Sequence, residues 1–146
     1  MKYSKLTTSL AATIVLVSVS LIPALVAVSA ASSNDPVVKT VSGVSYVSGG
    51  VGTDSIDKLS LLAGNFNLKL VFALNSGDYV ADVGVVIVDA GGKTLLNTMS
   101  DGPWFLTKLP TGNYQILATL SGNTVKRQVS IGTAKLRTVD FRWVAE

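Results

Sequence analysis

The chain has 146 residues, 12 of them Lys or Arg and 9 Asp or Glu, for a formal net charge of +3. It contains no histidine and no cysteine. Those absences exclude the Ser-His-Asp triad, thiolate catalysis, ordinary tetrahedral zinc sites and disulfide staples.

The N-terminus opens MKYSK, with Lys2 and Lys5, and continues as an apolar stretch over residues 6–28. Pro23 interrupts that stretch, and Val28-Ser29-Ala30 supplies small residues at its exit. Basic, apolar, small is the order of a secretory signal peptide, predicted over residues 1–30 with cleavage after Ala30 or Ala31. The run is also long enough to span a bilayer, for which about 20 residues suffice. A retained anchor is therefore the alternative, and membrane contact is expected only through this segment. No cysteine follows to carry a lipid, and no twin arginine precedes. The protein is expected to be exported, to a periplasm or beyond the cell. Losing residues 1–30 removes two lysines and no acids, so the charge falls to +1. A nearly neutral unit does not draw nucleic acid by its field. What remains, about 115 residues, suits one domain able to build a core without disulfides.

Residues 31–43 (ASSNDPVVKTVSG) are small and polar and read as a flexible leader, with the domain proper expected over 44–146. Val44, Tyr46 and Val47 suggest a short first strand, ended by Gly49, Gly50 and Gly52. A short helix follows. Thr53 or Asp54 is expected at its N-cap, Asp54 and Asp57 suit its positive end, and Gly64 suits its stop. Ile56, Leu59 and Leu62 or Ala63 form its apolar stripe. From Phe66 the period changes to two. Phe66, Leu68, Leu70, Phe72 and Leu74 are expected on one face, and Asn67, Lys69, Val71 and Ala73 on the other. Further strands are predicted over 83–88 (central, because it is apolar on both faces), 94–99, 104–109, 114–120, 124–131 and 136–144. Gly-rich turns separate them. Seven or eight strands at this spacing, with one short helix, predict an all-β protein: an antiparallel β-sandwich, transthyretin-like or Ig-like.

In Phe105-x-x-x-Leu109-Pro110-x-Gly112-x-Tyr114, Pro110 and Gly112 set a turn. Tyr114 is placed to bury its ring and bond its hydroxyl to nearby backbone, as in a tyrosine corner. This order, followed by Gly122 and a basic strand into Val129, resembles the carboxypeptidase regulatory-like domain family. The lead-in Val83–Asp89, Gly91-Gly92 and Thr94 fits the same pattern, and the resemblance covers residues 66–131. It implies a seven-stranded transthyretin-like sandwich that is an accessory module rather than a catalyst, in structural support or in protein or glycan contact. It carries over no functional residues.

Chemistry-bearing residues are few. Asp54 and Asp57 share a helix turn, which dipole capping explains, so no carboxylate dyad is read there. The calcium-loop pattern is absent. Ser55-x-x-Lys58 has neither of the partner motifs that penicillin-binding enzymes need. Ser48-Gly49-Gly50-Val51-Gly52-Thr53 is glycine-rich before a helix but lacks the lysine of a phosphate loop. Trp143 shares a face with Val139 and Phe141 and reads as core, whereas Trp104 reads as an exposed aromatic. The sequence thus predicts no catalytic, cofactor-binding or metal-binding residues, and a candidate contact surface at Tyr46, Gly49, Gly50, Asp54, Asp101 and Trp104. The favoured reading is a non-catalytic interaction or structural module of a bacterial envelope, its partner a protein or a glycan. The alternative is a carbohydrate-binding module stacking sugar on Trp104.

Overall fold

The computed structural model describes residues 35–133 and 135–145. The expected signal peptide and residues 31–34 of the expected leader lie outside them. The described residues form an all-β sandwich with one short helix. The strands are β1 (Lys39–Val41), β2 (Val44–Gly49), β3 (Leu68–Leu74), β4 (Gly84–Asp89), β5 (Thr94–Met99), β6 (Trp104–Lys108), β7 (Gly112–Leu120), β8 (Asn123–Ile131) and β9 (Arg137–Trp143). The helix α1 spans Thr53–Leu62 and runs into a 3-10 turn over Ala63–Asn65.

The described strands number nine, not seven or eight. The additional one is β1, which falls in the segment read as leader. Its composition gives no strand signal, and all three of its residues are exposed. Ser42 and Gly43, both at positive φ, make the two-residue turn that folds β1 onto β2. One sheet runs β1-β2-β6-β3-β9 and the other β5-β4-β7-β8. Pairing is antiparallel except between β3 and β9, which are parallel. The parallel pair arises because the chain crosses to the other sheet after β8 instead of turning back within its own.

The two inner faces meet in one core. Leu68, Leu70, Phe72, Phe105, Phe141 and Trp143 come from the five-stranded sheet; Val85, Ile87, Leu96, Tyr114, Ile116 and Ala118 come from the four-stranded one. Strand β4 is central, as its apolar composition predicts, and Trp143 is a core residue. Two contacts fix how the sheets overlie. Tyr46 Oη lies 3.2 Å from Thr98 Oγ1, which sets β2 over β5. At the opposite side Arg137 Nη1 and Trp143 Nε1 donate to the Ser130 and Asn123 carbonyls, which sets β9 over β8. Strand β1 therefore overhangs, with none of the described strands opposite it.

A second, smaller cluster lies on the outer face of the five-stranded sheet: Val47, Leu59, Phe66 and Leu106, with Trp104, Leu62, Ala63 and Leu136 against it. Leu59 is the buried residue of α1, flanked on the helix by half-buried Ile56 and Leu62. Phe66 belongs here, not on the inner face with Leu68. Strand β3 starts only at Leu68, because the Asn67 amide makes two bonds to Leu109: Nδ2 donates to its carbonyl (2.7 Å) and its N–H donates to Oδ1 (2.9 Å). The chain turns at that clamp, leaving Phe66 under the helix. The N-cap is neither Thr53 nor Asp54 but Gly52 at φ 81°, with no side-chain cap.

The corner before β7 forms as its sequence predicts. Tyr114 is 7% exposed and its hydroxyl donates to the Pro110 carbonyl at 2.6 Å. Burial pushes its phenol above the ordinary tyrosine value, and the Asp89 carboxylate pushes it further the same way. A raised folded-state pKa favours folding while the phenol stays protonated, an advantage complete below the unfolded value of about 10 and lost as pH climbs through the folded one. In a spectrophotometric titration, the component that disappears in Tyr114→Phe is expected above pH 10; a component at or below the free-tyrosine value would contradict this corner.

Candidate functional site

Of the six residues predicted as a contact surface, Tyr46 lies in the core of the sandwich, whereas Gly49, Gly50, Asp54, Asp101 and Trp104 lie at one end of it. There the end of β2, the start of α1, the turn after β5 and the start of β6 meet. Ser48 joins them. Its hydroxyl donates to the Trp104 carbonyl (3.0 Å) and accepts the Asp101 N–H (2.9 Å). Gly102 then passes so close to β2 that a Cβ on it would stand 2.3 Å from the Gly49 carbonyl oxygen. No side chain fits there. Next to it, the Gly50 N–H donates to Ser55 Oγ at 2.8 Å, tying the glycine turn to the first turn of α1. Gly50 sits at φ 94°, and a Cβ there would press Trp104 at 3.2 Å.

Two of the predicted contact residues are structural. Tyr46 is 5% exposed, stacked on Phe105 with ring centroids 5.2 Å apart, and lies in the inter-sheet core. Its side chain follows the inward face of β2, which residue pattern alone did not assign. Trp104 is opposite in face to Phe105, as expected, yet it is half-buried rather than exposed. It packs with the helix cluster, and Lys69 Nζ sits 3.1 Å from its ring centroid. That is a cation–π contact, and it covers one ring face. Burial lowers Lys69 below the ordinary lysine value, partly offset by Asp140. The helix and Lys69, both distant in sequence from the Gly-Pro turn, account for the difference.

Gly49 and Asp101 do line a common cleft. It has a volume near 360 Å³, and its other walls include Pro36, Val37, Ser48, Val51 and Ser55. Asp54 is exposed in the first turn of α1. The segment leading into β1, with Lys39 at the start of β1, forms the near wall and is fastened twice. Lys39 Nζ pairs with Asp101 at 3.3 Å, and Lys58 of α1 pairs with Asp35. The hydrogen bond to Asp35 raises Lys58 above its ordinary value, partly opposed by desolvation. Both pairs are exposed, so solvent screens them and they position the segment more than they stabilise it. Two apolar side chains of the lining, Val37 and Val51, are 65% and 69% exposed.

The six predicted contact residues leave out Val37, Lys39 and Asp35, and also Ser48, Val51 and Gly102, of which Ser48 and Val51 lie in the glycine-rich stretch singled out before the helix. Ser48 had a signal, a small hydroxyl at an inward position of an apolar strand. The others had none, because their importance depends on the meeting of separate segments, 23 positions apart for Asp35 and Lys58 and 62 for Lys39 and Asp101. The S-x-x-K pair is spent locally, Ser55 on Gly50 and Lys58 on Asp35. Among the described residues no group of three or more His, Cys, Asp or Glu side chains could hold a metal ion, and no helix is long and apolar enough to cross a membrane. No protein-family model matches the chain, and no curated protein matches it.

Gly102→Ala is expected to destabilise the protein by about 3 kcal/mol, since overpacking against backbone cannot relax by a rotamer change. A denaturant midpoint unchanged from wild type would show that the two backbones can separate freely. Trp104→Ala is expected to cost about 2 kcal/mol, less than the 3–5 of a fully buried aromatic. Calorimetry showing no change in melting temperature would return Trp104 to the surface.

Proposed function

We infer that this is a non-catalytic β-sandwich of a bacterial envelope, exported and acting as an interaction or structural module. The observation that carries the reading is how the polar groups at the cleft are used. Ser48, Ser55, Lys39 and Asp101 are each committed to an internal hydrogen bond or ion pair. Outward the cleft offers two exposed apolar side chains, Val37 and Val51, beside a backbone ledge and the solvent-exposed Lys39–Asp101 pair. Exposed apolar side chains rimmed by satisfied polar groups suit a protein contact. Catalysis would need a nucleophile beside a base, and Ser55 instead accepts a backbone N–H. The glycan reading has less support, because Lys69 occupies one face of the ring meant for stacking and Gly50 lies against its Cγ.

The resemblance to carboxypeptidase regulatory-like domains is consistent with this role. Residues 66–131, which carry it, hold six strands, β3 to β8, in the two facing sheets, with β9 and the β1–β2 pair outside that stretch. Signal-directed export supplies the compartment.

In-cell photocrosslinking tests the reading. A photoreactive residue at position 51 of the tagged full-length chain is expected to capture one dominant envelope protein. The yield is expected to fall about tenfold in the Val37→Asp variant, at unchanged melting temperature, for a desolvated apolar contact of roughly 1.4 kcal/mol. A reproducible glycan-array signal without a protein crosslink would replace this reading with the carbohydrate one. Reproducible turnover of any substrate would overturn both.

A further inference from the structure

The sandwich has four sheet edges, and three are guarded. Strand β1 is three residues long. Strand β8 carries Lys126 and Arg127, and Arg127 stands opposite the core residue Ile116, so a charge lies on the inward face of that edge. Strand β9 is tied to β8 through Arg137 and Trp143. The fourth edge is β5, with the sequence TLLNTM over six residues. It has no charge and no proline, and among the described residues it pairs only with β4. Among the described residues, no backbone hydrogen bond from outside β4 reaches its main chain. In an antiparallel pair every second residue turns its N–H and C=O away from its neighbour, so β5 presents an unpaired row of both.

Above that edge hangs β1. Lys39 and Val41 stand opposite Tyr46 and Val44, both residues of the inter-sheet core, so they face the same way. Yet Val41 remains 42% exposed, because the four-stranded sheet ends one strand short. With β2 over β5, the five-stranded sheet outruns the four-stranded one by β1, and beneath β1 lies the position beside β5. Its wall is a row of backbone donors and acceptors, its roof is Val41, and its end is marked by the Lys39–Asp101 pair.

We propose that β5 takes up an extended segment of a partner polypeptide as a fifth strand, completing a five-on-five sandwich beneath β1. This rests on the reading of the protein as an interaction module and names the chemistry of its partner. A second copy of this chain does not fit. Brought edge to edge about a two-fold axis normal to the sheets, its own β2 would overlie its β5 and collide with β1. The overhang thus admits a single strand and rejects a whole sandwich. Six residues of pairing span about 20 Å. The incoming strand is apolar at alternate positions, where it meets Val41 and the inner face beside Leu96. Main-chain bonds hold it and those alternate side chains select it.

The test uses the full-length chain and a displayed library of random peptides roughly twelve residues long, enough to cover β5 with overhang. Selected peptides are expected to alternate apolar and polar residues, and to slow amide exchange in residues 94–99. N-methylating every second peptide amide in the register facing β5 should weaken binding about a hundredfold, for some three lost hydrogen bonds at roughly fivefold each. The opposite register should tolerate the same change. Val41→Asp should weaken binding about tenfold by placing a carboxylate over the added strand, while Leu61→Asp on the exposed side of α1 should not. Both variants are checked for unchanged melting temperature.

A library that yields no binder overturns the proposal, as do binders that leave residues 94–99 unprotected or are indifferent to the register of methylation. The outcomes separate from those of the wider reading. An envelope crosslink that persists with no strand-adding peptide means a protein module working through another surface. Register-dependent peptide binding with no envelope crosslink keeps the slot and removes the envelope role.

Discussion

The end of the sandwich where β2, α1 and β6 meet depends on one hydroxyl and one missing side chain. Ser48 Oγ bridges the Asp101 N–H and the Trp104 carbonyl, and Gly102 lets the turn between them lie directly on β2. A buried serine with both bonds made is nearly neutral in net energy, but a buried serine with either bond broken is costly. The pair therefore acts as a registration device. It fixes where β6 begins relative to β2, and hence which face of β6 carries Trp104.

From that registration the rest of the site follows. With Trp104 turned outward, α1 can lay Leu59 against Val47 and Leu106 and gain a hydrophobic cluster of its own. A ten-residue helix is marginal alone, and this contact, with the Ser55 link to Gly50, holds it in place. Lys69 then closes over the ring from β3. A residue type that often marks a sugar-binding face is here a keystone between helix and sheet. The cleft beside it is what remains once those elements are seated.

The unequal sheets have a consequence of the same kind. A sandwich with five strands over four must leave one strand without a counterpart, and the chain leaves β1 in that position. The overhang exposes valine and leaves β5 unpaired, which in a freely open edge invites aggregation. Because β1 lies across the approach, the edge is reachable by a lone strand and closed to a whole domain.

Much of the fold was legible from residue order. The period-two runs from Leu68 to Leu74 and from Tyr114 to Leu120, the Gly and Pro turns, and the Leu-Pro-x-Gly-x-Tyr corner are local signals with local physical causes, and each appears where its sequence puts it. The absence of histidine and cysteine likewise restricts the chemistry without any structure. The site was not legible in that way. Tyr46 and Trp104 are both aromatic residues beside glycine turns, and nothing nearby tells core from surface; the first is buried by Phe105 and the second by Leu59 and Lys69. Phe66 obeys the alternation of β3 on paper and leaves it because Asn67 is clamped to Leu109, 42 positions away. Strand β1 has no strand composition and exists because β2 offers it an edge. Sequence alone determined the elements whose stability is local, the turns and the amphipathic strands. Only the tertiary structure decided which sheet outruns the other, which aromatics are covered and which edge stays open, because each is set by the approach of segments that the chain order keeps far apart.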